Sequence, residues 1–297
     1  MKIEKFAAID IGSNALRVLV ANVFTDKNGH VDFYKNSLIR VPVRLGQDTF
    51  TLGEITNGNI RRIIKAINIF KNIIRIHKVT KYKAYATSAL REARNCDVIV
   101  ELIKNKTGIM VELIDGVKEA SLISSVRFFE NIDKKLNFLY VDVGGGSTEL
   151  SIISNGIKIQ EKSFKIGSVR LLNNYVDSDI WDEIKDWIKE NTNGIDDLFL
   201  IGTGGNINKI YKITSSKNDN IITLNELKNF KNSIYQLSYS ERIIKYQLNP
   251  DRADVILPAL KIYLNVLKWS GASKILVPRI GLSDGIIQEL IIKKLQN

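Results

Sequence analysis

The sequence is poor in the side chains that bind metals through sulfur or imidazole. Cys96 is the only cysteine among 297 residues, and the two histidines are His30 and His77. An intramolecular disulfide is therefore excluded, and a cysteine zinc site has too few ligands. Because neither histidine lies near a glycine motif, phosphoryl transfer through histidine and a histidine–aspartate metal site are not expected either.

Long apolar runs and flexible linkers are also missing. No uninterrupted apolar run approaches the ~18 residues that span a bilayer. Glu4 interrupts the apolar character of the N-terminus, which argues against a signal peptide. No linker rich in Pro, Gly or Ser divides the chain into halves. We therefore expect a soluble cytoplasmic protein without a membrane partner.

The charges are unbalanced, with a formal net charge of +11. Lys and Arg are spread along the chain without a basic tail, which is compatible with a polyanionic substrate. No helix-turn-helix, zinc-finger or aromatic RNA-binding pattern accompanies them, so nucleic acid is not expected as a partner. The length and an apolar content of 44% predict about two domains with a substantial core.

One pattern occurs twice. Phe6–Asn14 and Tyr140–Leu150 each run an apolar strand into an aspartate and a glycine turn, followed by alternating apolar residues. Successive N–H groups in such a turn form an anion-binding concavity, and the aspartate beside it can hold a divalent cation. The repeat predicts two hairpins that grip a phosphoanhydride from both sides. Their phosphate-binding residues are expected to be Gly12, Ser13, Asn14, Gly144, Gly145, Gly146 and Ser147.

Neither loop fits the commoner nucleotide motifs. No Gly-Lys-Ser/Thr follows the glycines, as a Walker A motif requires, and a dinucleotide fingerprint would open a helix where a strand is predicted. A third glycine turn, Ile201–Gly205, precedes a predicted helix. Because helix N-termini attract anions, Gly204 is a further phosphate-binding candidate, with a simple strand-to-helix turn as the alternative.

Apolar periodicity predicts a chain of mixed helices and strands. In the first half we expect a helix from about Asn57, a strand over Tyr82–Thr87 and a helix over Val98–Lys106. A helix over Val117–Phe129 opens the second half. Further helices are expected at Asp179–Lys189, Leu224–Leu237 and Arg252–Trp269, the last bent or restarted at Pro258.

Seven short motifs follow one another along the chain: Asp10–Asn14, Arg44–Gly46, Ala86–Ala93 with Asn95, Ile114–Ala120, Asp142–Glu149, Gly167–Arg170 and Gly202–Gly205. In this order they resemble the motifs of the exopolyphosphatase/guanosine pentaphosphate phosphatase (Ppx/GppA) family. The resemblance implies an α/β fold with two ribonuclease-H-like domains of the actin/Hsp70/sugar-kinase superfold and a cleft between them. The domains are expected at 1–124 and 125–283, with a C-terminal helix over 284–297 that returns toward the first.

The resemblance also implies removal of a terminal phosphate by water. Glu119 stands where the family has the general base, and Arg91 matches the arginine that grips the terminal phosphate. Asp142 and Glu149 flank the second loop and are expected to hold Mg²⁺ or Mn²⁺, with Asp10 assisting. The implied substrates are inorganic polyphosphate and guanosine pentaphosphate.

Several residues depart from the family pattern. Lys118 stands where members commonly have Glu, Ala15 replaces a usual Ser, and Gln288 stands where members carry Arg. Lys118 would lower the pKa of Glu119 if the two side chains met. The sequence given ends at Asn297, before the helical domains of long members, so a short two-domain member is expected.

Two other functions stay open. Gly202–Gly205 resembles an adenine-side loop, which suggests a small-molecule kinase of the same superfold. Lys118 and Gln288 suggest a non-catalytic sensor of alarmone or polyphosphate. A homodimer is compatible with the sequence.

Overall fold

The computed structural model describes residues 2–27, 29–126, 136–195, 197–215 and 219–296. The chain divides into two compact units. The first unit combines Met1–Arg127 with Gly281–Asn297, and the second unit is Phe128–Ile280. Each contains one mixed β-sheet with helices packed on it. Chains that alternate strands with helices build this kind of layered domain.

Five strands form the sheet of the first unit: β1 (Lys2–Ile11), β2 (Leu16–Thr25), β3 (Val31–Val41), β4 (Lys81–Ala86) and β5 (Glu112–Leu113). Their order is β3-β2-β1-β4-β5. β1, β2 and β3 pair antiparallel, whereas β4 is parallel to β1 and β5 is parallel to β4. The central strand β1 is buried from Phe6 to Ile11. Burial on both faces explains the continuous apolar run from Phe6 to Ile9, which ends at Asp10.

The helices of the first unit are α1 (Leu45–Leu52), α2 (Asn57–Ile76), α3 (Ser88–Glu92), α4 (Cys96–Thr107), α5 (Gly116–Ser124) and, from the end of the chain, α13 (Leu282–Leu295). The side chain of Thr56 caps α2 by accepting a hydrogen bond from the N–H of Asn59. Gly108 ends α4 in the left-handed backbone region that favours glycine. α13 packs on β1, β2, β4 and α5.

Six strands form the sheet of the second unit: β6 (Asn137–Val143), β7 (Thr148–Ser154), β8 (Ile157–Phe164), β9 (Leu198–Thr203), β10 (Ile221–Thr223) and β11 (Lys274–Leu276). Their order is β10-β11-β9-β6-β7-β8. β6, β7 and β8 pair antiparallel, whereas β9 is parallel to β6 and β11 to β9. The pairing around β6 therefore repeats the pairing around β1 of the first unit.

The helices of the second unit are α6 (Ser168–Leu172), α7 (Ile180–Thr192), α8 (Gly205–Thr214), α9 (Leu224–Tyr235), α10 (Tyr239–Tyr246), α11 (Pro250–Ala253) and α12 (Ile256–Ser270). α12 is the most central of them, since it packs on α6, α7, α8, α9, β6 and β9. The core beneath includes Leu139 and Val141 of β6 and Ile184 and Trp187 of α7.

The predicted helix over Arg252–Trp269 is two helices, α11 and α12. The predicted restart near Pro258 is confirmed, because α12 begins at Ile256 and Pro258 lies in its first turn. The first N–H groups of a helix have no intrahelical partner, so a proline there removes no hydrogen bond.

Other predictions differ from the structure in extent. The helix expected over Val117–Phe129 ends at Ser124, and residues 127–129 lie outside the described residues. Three short helices, α1, α6 and α10, have no counterpart among the predicted elements. The start of α10 could have been predicted from the sequence, because Ser238 and Glu241 have the spacing of a capping box. In the structure they form its two reciprocal hydrogen bonds.

Within the described part of the chain, none of the helices is both long enough and apolar enough to cross a membrane.

Gly285 of α13 is required by the packing of that helix. A Cβ at this position would lie 2.5 Å from the carbonyl carbon of Leu122 in α5, and closer still to its oxygen. A Cβ at Gly58, which lies in the exposed first turn of α2, would meet nothing nearer than 3.8 Å. The two helical glycines therefore differ in environment.

We expect Gly285→Ala to lower the free energy of unfolding of the first unit by about 1–3 kcal/mol, the usual cost of overpacking. Gly58→Ala should raise it by up to about 1 kcal/mol, because alanine favours the helix. Urea unfolding followed by circular dichroism, with hydrogen exchange in α5 and α13, measures both. Equal effects of the two substitutions would contradict close packing at Gly285.

Candidate functional site

The first glycine loop joins β1 to β2 through Gly12–Ala15. The N–H of Gly12 donates to the carbonyl of Ala15 at 3.2 Å and closes the turn. The carbonyls of Ser13 and Asn14 accept hydrogen bonds from the N–H groups of Gly46 and Arg44. The Arg44–Gly46 motif therefore holds the first loop by its backbone.

Asp10, the next-to-last residue of β1, stands directly opposite Arg17 of β2. A carboxylate oxygen of Asp10 lies 2.5 Å from a guanidinium nitrogen of Arg17, and Asp10 is buried. The structure thus gives Asp10 an ion pair beside the first loop. Its expected role in metal binding stays a prediction.

α3 connects the first loop to the start of α5. The hydroxyls of Ser13 and Ser88 are 2.9 Å apart in the interior. One turn later, the guanidinium of Arg91 donates to the carbonyl of Ile114, just before α5. The expected phosphate ligand Arg91 therefore lies beside the loop that leads to Glu119. A guanidinium carries five N–H donors, so the contact with Ile114 leaves others for a ligand.

Glu119 lies in the first turn of α5 and is half-buried. Asp115 caps the helix, since its carboxylate accepts a hydrogen bond from the N–H of Lys118 at 2.7 Å. The N–H of Glu119 donates to the carbonyl of Asp115 at 3.0 Å. The helix dipole favours a charged carboxylate at this position. The Ile114–Ala120 motif is thus a capped helix start that presents Glu119.

The second glycine loop, Gly144–Ser147, joins β6 to β7. Its carbonyls are bound by the start of α6. Gly144 accepts from the N–H of Ser168 at 2.9 Å, Gly145 accepts from that of Val169 at 2.8 Å, and Gly146 accepts from the Arg170 side chain at 2.9 Å. A trans peptide points its C=O and the following N–H in opposite directions. The three N–H groups that follow, those of residues 145–147, therefore point away from α6.

This arrangement requires a glycine at position 167. A Cβ on Gly167 would lie 2.5 Å from the backbone nitrogen of Gly146 and still closer to the carbonyl group of Gly145. The Gly167–Arg170 motif is explained by this crossing of two backbones.

Asp142 and Glu149 stand opposite each other on β6 and β7. They are 7% and 1% exposed, and their nearest carboxylate oxygens lie within 4.8 Å of each other. The hydroxyl of Ser163 donates to Glu149 at 2.9 Å. Two buried carboxylates this close repel each other, and a divalent cation would neutralise both. Paired carboxylate oxygens are the hard ligands that Mg²⁺ prefers, so the residues fit the ion.

The third glycine turn lies against the second loop. Gly204 has φ 105, and a Cβ there would lie 2.8 Å from the carbonyl of Val143 and 3.0 Å from the carboxylate of Asp142. Gly204 therefore allows the turn to approach Asp142. Arg252 supports the turn by donating to the carbonyl of Gly205.

Two tyrosines near Asp142 were not predicted from the sequence. The hydroxyls of Tyr140 and Thr203 are 2.5 Å apart, and Tyr263 donates to the carbonyl of Thr203. Burial, and then the negative charge of Asp142, raise the pKa of both tyrosines well above the ordinary value. Both remain protonated. The position of Tyr140 beside Asp142 could have been predicted, because residues two apart in a strand lie on the same face.

Each unit thus gathers its own motifs. In the first unit, the first loop, Arg44–Gly46, Arg91 and the start of α5 are connected through hydrogen bonds. In the second unit, Gly167, Asp142, Glu149 and the third turn surround the second loop.

The chain is similar to several curated proteins. The chain is 30% identical over 300 residues to the bifunctional 3-dehydroquinate synthase/phosphatase of Fusobacterium nucleatum, covering 91% of this chain and 44% of that protein. It is 31% identical over 186 residues to exopolyphosphatase 2 of Mycobacterium tuberculosis, covering 60% and 57%. The guanosine-5′-triphosphate,3′-diphosphate pyrophosphatase of Photobacterium profundum is 26% identical over 304 residues, covering 97% and 59%. The chain spans about half the length of the curated relatives it matches.

Solved structures show the same fold. An exopolyphosphatase from Cytophaga hutchinsonii aligns with TM-score 0.84 and 23% identity, covering 98% of both chains. A Ppx/GppA protein from Aquifex aeolicus aligns with TM-score 0.75 and 23% identity, covering 99% of both. The expected two-domain actin-like fold is confirmed. The family profile described as Ppx/GppA phosphatase matches residues 23–294. The chain therefore belongs to the Ppx/GppA phosphatase family.

Proposed function

We propose that this protein is a hydrolase that releases the terminal phosphate of inorganic polyphosphate or the 5′-phosphate of guanosine pentaphosphate by attack of water. The observation that carries the proposal is the second loop, whose carbonyls are bound by the start of α6 and which follows directly on Asp142, one of the buried pair Asp142 and Glu149. Two matched relatives bear the names exopolyphosphatase and guanosine-5′-triphosphate,3′-diphosphate pyrophosphatase.

The glycine loops bind the phosphate chain. Phosphoryl transfer passes through a transition state whose charge lies on the equatorial oxygens, so a protein mainly positions the groups and neutralises charge. The N–H groups of residues 145–147 would donate to these oxygens, as preorganised donors do in other active sites. Gly12–Asn14 would hold a neighbouring phosphate in the same way.

Asp142 and Glu149 would hold Mg²⁺ or Mn²⁺ at the second loop. Such an ion, when bound, neutralises phosphate oxygens and lowers the charge that the protein must stabilise. The protein's own contribution is to place two carboxylates on adjacent strands, where β6 and β7 fix their separation.

Glu119 and Arg91 supply the remaining chemistry. Glu119 would accept a proton from the attacking water, and the capped first turn of α5 fixes its backbone. Arg91 would donate to the terminal phosphate, since its planar guanidinium can form two parallel hydrogen bonds to one phosphate.

The first prediction of the proposed function concerns the reaction. Inorganic phosphate should appear from guanosine pentaphosphate or polyphosphate, measured with a phosphate-specific assay across pyrophosphate, short and long polyphosphate and guanosine pentaphosphate. Saturable binding without release would instead identify a sensor. Phosphate transfer from ATP to an acceptor, without hydrolysis of these substrates, would identify a kinase.

The second prediction concerns the base. Glu119→Gln keeps the shape of the side chain and removes its charge, so kcat should fall about 10²–10⁴-fold while substrate binding is largely kept. Glu101→Gln, an equal change on an exposed helical position of the same unit, serves as the control. Wild-type turnover of the Glu119 variant would place the base elsewhere.

The third prediction concerns the metal. Asp142→Asn should weaken both the activation of the enzyme by Mg²⁺ and the direct binding of Mn²⁺, measured by calorimetry. It should not destabilise the metal-free protein, because it removes one of two repelling charges. The exposed Asp186→Asn variant is the control. Full activity in excess chelator would refute the metal assignment.

A further inference from the structure

The carboxylate of Glu289, near the middle of α13, contacts side chains from β4, α5 and α13 of the first unit. Its carboxylate accepts a hydrogen bond from the hydroxyl of Tyr85 on β4 at 2.7 Å and another from the ammonium of Lys118 on α5 at 3.0 Å. Lys83 of β4 and Lys293 of α13 lie 3.7 and 3.4 Å away. The side chain of Glu289 is only 12% exposed. A single carboxylate therefore ties β4, α5 and α13 together.

The carboxylate of Glu289 is ionised at neutral pH. Burial alone would raise the pKa of Glu289, but the hydrogen bonds from Tyr85 and Lys118 and the charge of Lys83 lower it to about 2. Burial and the hydrogen bond to Glu289 raise the pKa of Tyr85, which keeps its hydroxyl protonated as a donor. At neutral pH the cluster consists of a charged acceptor and its donors.

Lys118 connects this cluster to the expected general base. Its backbone N–H is bound by the cap residue Asp115, and its ammonium is bound by Glu289. The first turn of α5 is thus anchored at the cap and again at α13, and Glu119 is the next residue. Further along, α13 packs directly on the backbone of α5, where Gly285 meets Leu122.

The ion pair of Lys118 with Glu289 also bears on the departure from the family motif at position 118. A lysine beside a general base was expected to affect that base if the two side chains met. The ammonium instead lies at Glu289, 171 positions away in sequence. The departure from the family pattern is therefore accompanied by an acidic partner on another helix.

We propose that Glu289 is a positioning residue for Glu119, which acts by holding Lys118 and with it the first turn of α5 in one orientation. Lys118 is the second member of the same pair. The kinetic part of this inference rests on the proposed function, whereas the ordering of α5 does not. Because a misplacement of about 1 Å can cost about 10²-fold in rate, a loose first turn is expected to lower turnover.

Three substitutions test the pair. Glu289→Gln and Lys118→Gln should each lower kcat about 10-fold with KM within about twofold. The double variant should be no slower than either single variant, since groups that act as one unit are not additive. Lys293→Gln is the matched control. It removes a lysine from the same carboxylate, but that lysine is 53% exposed and lies on α13 itself, so kcat should stay near wild type.

Hydrogen exchange provides a readout that does not depend on activity. The amides of the first turn of α5 should exchange faster in Glu289→Gln and Lys118→Gln than in wild type or Lys293→Gln, while the rest of the first unit is unchanged. Because Lys118 is 46% exposed, Lys118→Gln should leave the free energy of global unfolding unchanged. This variant therefore still tests the proposal if Glu289→Gln destabilises the whole unit.

The outcomes separate the two hypotheses. Unchanged exchange in the first turn of α5, additive effects on kcat, or a raised KM with normal kcat would overturn the positioning role. Absence of phosphate release by the wild-type protein would overturn the proposed function, and the exchange measurement would still decide whether the pair orders α5. A reduced kcat that is shared by the pair, with faster exchange confined to this turn, supports the inference.

Discussion

The hydrogen bonds that bind the carbonyl oxygens of the second glycine loop decide what that loop can do. With the carbonyls of Gly144, Gly145 and Gly146 turned to the start of α6, planar peptides direct the following N–H groups to the other side. A flexible glycine loop without this anchor would sample many orientations and lose conformational entropy on binding. The close crossing at Gly167 is the steric condition for the anchor.

The electrostatics of the second unit follow from this anchored loop. Donors of the loop and acceptors of the carboxylate pair Asp142 and Glu149 meet at the ends of two adjacent strands. Negative charge is concentrated where burial makes it most costly, which is typical of sites that bind cations and not of structural ion pairs. The protonated tyrosines Tyr140 and Tyr263 surround the pair without adding charge. These charges fit the proposed ligand, a phosphate chain accompanied by a divalent cation.

Local patterns in the sequence predicted the two glycine hairpins and several of the longer helices, but they did not predict the short helices α1, α6 and α10. The strand–aspartate–glycine hairpins were predictable because strand alternation and the turn lie within a dozen residues. Individual side-chain contacts between distant residues were not predictable. The bond from Arg91 to Ile114 and the ion pair of Lys118 with Glu289 depend on how the first unit packs. The short helix α1 lacks a side-chain cap and contains Gly46, so its propensity signal is weak.

The position of α13 in the chain has a consequence for how the protein is made. The first unit takes its strands from the first part of the chain and α13 from its last part, whereas the second unit is continuous. During synthesis the ribosome releases every residue of the second unit before α13 emerges. β1, β4 and α5 therefore remain without the helix that covers them until the second unit has been synthesised. Contacts of such high sequence separation fold slowly, so a chaperone would have longest access to the uncovered face of the first sheet.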